Sequence, residues 1–198
     1  MIKWVILCGV NLVLAVADGI LTYWNTPDLS LEGNFLVAGL GFGWEALLIA
    51  NVVVLGFCVL TAYYSFVKYK TVVLKTKNIK EYISQMLYNR PDKFIWLFYK
   101  TPKNRKPFYA ILGFAFCYSM ILGRMIAILE WTAITFKMDL TGYCGFIRMF
   151  PFGRMDIVLI LISLMILILL WFVSEYRKSI KSFADFHELP VDNIESRG

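Results

Sequence analysis

The 198-residue chain contains one histidine, His187, and charged residues make up only 17% of it. A single imidazole argues against histidine-based zinc hydrolysis, which needs several ring nitrogens at fixed spacing, as in H-E-x-x-H. The four cysteines, Cys8, Cys58, Cys117 and Cys144, include no C-x-x-C pair, so a thiol-redox centre or zinc knuckle has no support. Three of them lie in apolar stretches, where cysteine behaves as a small hydrophobe. No N-x-[ST] sequon occurs, which is consistent with a prokaryotic source. Nucleophile-elbow, Walker and dinucleotide patterns are missing too. Gly39, Gly41 and Gly43 alternate at the wrong spacing for any of them.

Apolar residues dominate instead. They make up 59% of the chain, against roughly 45–50% in soluble domains, and they lie in long blocks. The blocks predict an all-α integral membrane protein, a four-helix transmembrane bundle forming a single domain over 1–198. The expected spans are about 4–24, 46–67, 108–135 and 157–173, each near the length needed to cross a bilayer. The first begins like a signal peptide but lacks a convincing cleavage site and runs on into Tyr23 and Trp24, so an uncleaved helix is expected. Residues 35–44 are apolar but glycine-rich. They read either as a short re-entrant segment, which must be covered by protein or line a wet cavity, or as an outward extension of the second span.

Between the second and third spans lies a loop, 68–106, holding 11 of the 20 basic residues. Ile79, Tyr82, Ile83, Met86 and Leu87 recur there at helical spacing, followed by Phe94, Trp96, Leu97 and Phe98. The pattern predicts one or two amphipathic helices on the inner membrane surface, with aromatic residues in the interface and lysines towards anionic lipid headgroups. The alternative is a small cap packed on the bundle ends. The first loop has no Lys or Arg and the third only Lys137, Arg148 and Arg154, whereas Lys3, Arg177, Lys178 and Lys181 flank the opposite ends. The positive-inside rule then places both termini, the loop and the tail 177–198 in the cytoplasm. A basic cluster beside spans is a topology signal, and no nucleic-acid partner is expected, because that footprint needs a soluble face.

Charges inside spans are costly and mark candidate sites. Counting from the span boundaries puts Asp18 ~22 Å and Arg124 ~27 Å from the inner edge, and Asn51 ~9 Å below the outer edge. All three lie in the outer half, where they can meet. Asn11, Asp18 and Thr22 share one face of the first span, while Glu32 and Asn34 sit just before the chain turns back. The candidate polar site is therefore Asp18, Thr22, Glu32, Asn34, Asn51 and Arg124. Glu130 is expected to face elsewhere. Asp18, Glu32 and Glu130 offer hard oxygen ligands, but no Mg²⁺ or Ca²⁺ signature accompanies them, and no metal or other cofactor is assigned.

The stretch Asp18-Gly19-Ile20-Leu21-Thr22, followed by Glu32-Gly33-Asn34, resembles a family of small prokaryotic multi-span membrane proteins of unknown function. Its members pair an Asp-x-x-x-Thr motif in the first span with Glu-x-Asn-Pro before the next segment. Phe35 stands here in place of the proline. The resemblance covers less than the first quarter of the chain. It implies that Asp18, Thr22, Glu32 and Asn34 form a unit, and it implies no activity.

Three functions follow as expectations. The first is ligand or ion binding, or transport, at the polar site, with a homo-oligomer or larger complex needed for a transport path. The second is an intramembrane enzyme acting on a lipid or lipid-linked substrate, which predicts a cavity open to the outer leaflet with acids in it. The third is a structural or accessory subunit, which predicts small-residue ridges such as Gly113/Cys117 or Gly123/Ala127 turned towards a partner helix. Under that last reading Asp18 and Arg124 are a buried pair that only fixes helix register.

Overall fold

The computed structural model describes residues 1–30, 37, 39–139 and 155–187. These are all-helical, with no strand among them. Helix α1 spans Ile2–Asn25. Helix α2, Trp44–Tyr63, continues through a π-helical turn, Tyr64–Lys68. Helix α3, Ile79–Tyr88, and a 3-10 turn, Phe94–Phe98, occupy the basic loop. Helix α4 spans Arg105–Thr135 and α5 spans Met155–His187. Four helices are long and apolar enough to cross a membrane. Residues 35, 36 and 38 of the segment 35–44 lie outside the described residues, as does Cys144.

Local chemistry sets the helix ends. The Asn78 side chain accepts from the Glu81 amide (2.9 Å), and the Glu81 carboxylate accepts from the Lys77 amide (2.8 Å). These bonds satisfy orphan donors at the α3 start, much as a capping box does. Asn89 ends α3 in the left-handed region, φ 58°, and its N–H bonds to the Gln85 carbonyl, a common stop. Pro107 is tolerated in the first turn of α4, where its missing N–H would have had no helical partner. Helix α5 runs on to His187, beyond the expected apolar limit at 173. Loss of hydrophobicity at Glu175 marks the edge of the span, while the backbone stays helical because these residues retain good helix propensity.

Helix α4 is the shared element, touching α1 and α2 on one side and α5 on the other. Trp4 Nε1 donates to the Val59 carbonyl (3.1 Å), which joins the start of α1 to the end of α2. Asn25 Nδ2 donates to Thr135 Oγ1 (3.0 Å), which joins the ends of α1 and α4. Ser163 meets Ser119 at 3.4 Å, so α5 runs back along α4. The start of α1, the end of α5 and the basic loop therefore share one end of the bundle. Gly113 lies where a methyl group would collide with the Thr61 carbonyl, and a methyl on Gly123 would come within 2.9 Å of Ile160. Both small-residue ridges are consumed by contacts within the chain.

Helix α3 forms where the periodicity placed it, but its apolar face is covered. Tyr82, Ile83, Met86, Leu87 and Tyr88 are buried with Ala110 and Ile111 of α4 and Trp171 and Phe172 of α5. The stripe assigned to the membrane surface packs on the protein instead, as a cap on the bundle end. Periodicity identifies an apolar face, not what covers it.

Candidate functional site

Arg124 is 5% exposed, past the midpoint of the candidate span formed by α4. Its Nη1 donates to the backbone carbonyl of Asn11 on α1 (3.1 Å), and its Nη2 donates to Oδ1 of Asn51 on α2 (3.4 Å). One guanidinium thus joins three helices, as a planar fork of five donors can do. The Asp18 carboxylate also attracts it electrostatically, so the charge at Arg124 is opposed within the bundle.

The two asparagines are oriented by their own helices. Asn51 Nδ2 donates to the Leu47 carbonyl (3.0 Å), one turn back, which leaves Oδ1 free to accept from Arg124. Asn11 makes the same bond to Leu7 (3.1 Å) and a second to Cys117 Sγ (3.4 Å). Asn11 Oδ1 is buried without a hydrogen-bond partner. Buried amide oxygens in that state are uncommon.

Of the expected site residues, Asn51 and Arg124 are in contact, and Asp18 acts on Arg124 from α1. Thr22 is buried on the inner face of α1, and its carbonyl accepts from the Thr26 amide (2.8 Å). Glu32 and Asn34 lie outside the described residues. Glu130 is half-buried on α4. Asn11 was read only as part of a polar stripe, yet it supplies the backbone acceptor for Arg124. Its spacing to Asp18 and Thr22 was the available signal. A buried acid lies at the other end of the bundle, outside the expected site. Glu175, 2% exposed, pairs with Lys178 at 2.6 Å. Among the described residues no three His, Cys, Asp or Glu side chains gather as a metal centre would require.

Beside this polar junction a groove of about 1130 Å³ lies between α1 and α2. Leu12, Val16, Gly19 and Tyr23 form one wall, and Leu48, Val52 and Leu55 form the other. Trp24, Pro27 and Trp44 stand at its far end, where Trp44 Nε1 donates to the Pro27 carbonyl (2.7 Å) and Tyr23 stacks edge-on with Trp44 at 5.5 Å. A methyl group at Gly19 would meet nothing within 4 Å, so this glycine widens the groove. Asn51 belongs to both features. It lines the groove and accepts from Arg124 behind it. Among the described residues no carboxylate lines the groove.

Comparison with family models, curated proteins and solved structures gives no match.

Proposed function

We propose that this membrane protein binds the hydrocarbon part of a lipid or lipid-linked amphiphile in the α1–α2 groove, with the Asn51–Arg124 junction as its polar stop. The observation that carries this reading is the double role of Asn51. An otherwise apolar groove meets a single amide, and that amide is fixed from behind by a buried cation. Asn51 uses one N–H on Leu47 and its oxygen on Arg124, so one amide N–H is left to donate to an ester carbonyl or hydroxyl of the ligand. The volume exceeds the roughly 300–1,000 Å³ of ordinary small-molecule pockets, which suits a chain better than a compact solute. With the basic end in the cytoplasm, the aromatic mouth at Trp24 and Trp44 lies at the outer interface, where such rings concentrate.

The close packing of Gly113 on Thr61 and of Gly123 on Ile160 within the chain weighs against the accessory-subunit reading. The test is photolabelling of the full chain in nanodiscs with a diazirine-bearing phospholipid. Label is expected on peptides of α1 and α2, with a severalfold loss in Gly19→Leu, which fills the groove, and no fall in thermal stability. Label spread evenly around the bundle and indifferent to Gly19→Leu would sink the proposal.

A further inference from the structure

The connection between α3 and α4 carries a surface that the bundle does not use. In a 3-10 turn, side chains three apart lie on one face. Phe94 and Leu97 share such a face and pack, with Trp96, against the cap core. Ile95 and Phe98 share the next face and are 69% and 77% exposed, with Tyr99 beside them at 64%. The short turn is thus apolar on two faces, and only one is covered.

Basic groups flank the turn. The ammonium groups of Lys93 and Lys100 lie 5.7 and 3.9 Å from the centre of the Trp96 ring. Over positions 90–106 six basic residues, Arg90, Lys93, Lys100, Lys103, Arg105 and Lys106, meet one acid, Asp92, which Lys93 pairs at 2.7 Å. The segment is also held close to the spans. Tyr88 donates its hydroxyl to the Lys100 carbonyl (2.8 Å), and Asn104 donates through its backbone to Leu87 (3.0 Å) and through its side chain to Met86 (3.2 Å). Helix α3 in turn packs on Ala110, Ile111, Trp171 and Phe172, all of which lie within candidate spans.

We propose that the turn at 94–99 is an interfacial anchor that binds anionic lipid. Ile95 and Phe98 enter the boundary between headgroups and acyl chains, Tyr99 lies at headgroup level, and Lys93 and Lys100 take the phosphates. An uncovered apolar face, a six-to-one excess of cations around it and attachment to span ends together fit a negatively charged leaflet. Of the two apolar stretches that the sequence assigns to the membrane surface, the α3 face is covered, and Phe98 of the second lies on the uncovered face. The inference rests on the bundle being embedded in a bilayer, and it is independent of the groove at the other end.

The test places photoactivatable benzoylphenylalanine at position 92, 95 or 98 of the full-length protein in phosphatidylcholine nanodiscs, with or without phosphatidylglycerol. Lipid adducts, read by mass, are expected severalfold more often at 95 and 98 than at 92. Yield at 98 should rise with phosphatidylglycerol, and Lys93→Gln combined with Lys100→Gln should abolish that rise. Adducts no more frequent at 98 than at 92 would overturn the anchor. Cross-links to a second copy of the chain would assign the face to self-association instead. A yield indifferent to both phosphatidylglycerol and the lysines would overturn the anionic-lipid assignment. None of these results depends on Gly19, so failure here and failure of the groove proposal are distinguishable.

Discussion

Arg124 places a full charge among aliphatic side chains, and its neighbours divide the task of holding it. Asn11 and Asn51 accept its hydrogen bonds, and Asp18 supplies opposite charge. Arg124→Met keeps most of the stem but leaves Asp18 without that cation, so a loss of stability of ~1–3 kcal/mol is expected, reduced because Asp18 is only half-buried. Adding Asp18→Asn should recover much of it. A double-mutant cycle read by thermal unfolding in detergent measures the coupling, expected at ~1 kcal/mol or more; a coupling of zero would refute an Asp18–Arg124 interaction. Arg124 and Asn51 were legible in the sequence because polar groups are rare in such runs. The Asn11 carbonyl was not, because backbone acceptors leave no mark in sequence and a long Arg side chain can reach several of them.

The helix α3 shows how an element can be read correctly and placed wrongly. Its apolar stripe was evident at helical spacing, but tertiary packing chose the partner. Burying Leu87 removes ~1.5–3 kcal/mol worth of apolar surface from water, and Leu87→Asp adds an unpaired buried charge. That variant should release the cap and open the loop to trypsin at Lys77 and Lys93, severalfold faster than wild type; unchanged cleavage would show that the cap does not depend on this contact. The cap should also respond to alkali. Burial, with the Glu175 charge as a lesser cause, raises the Tyr82 hydroxyl above its ordinary pKa of 10.0, and burial does the same for Tyr69. The folded protein then holds these protons more tightly than the unfolded chain. Their contribution is complete below pH 10 and is lost as pH rises beyond it. Tyr82→Phe loses the 3.0 Å bond to the Val72 carbonyl at every pH, about 1 kcal/mol. It should nonetheless flatten the alkaline fall in the unfolding temperature; an equally steep fall would refute the role of Tyr82.

For the whole molecule, the number of spans and the all-helical class were written in the apolar blocks, since a bilayer admits few other solutions. The central place of α4 was not, because hydropathy gives crossings without neighbours. The orientation expected from the basic loop is open to a direct check. With the four native cysteines replaced, a single cysteine introduced at Asp28 should react with an impermeant maleimide on intact cells, whereas one at Lys77 should react only after permeabilisation. The reverse pattern would invert the protein.

The contact between Arg124 and the Asn11 carbonyl joins positions 113 residues apart, and this separation is also an interval of time. At ~5–20 residues per second, a ribosome takes ~6–23 s to make the chain between them. In the later part of that interval Asn11, Asp18 and Asn51 have all been made and await their cation. Helix α4 then brings the guanidinium onto a polar face that is already made. The order in which the helices are synthesised is therefore the order in which the charge can be sheltered.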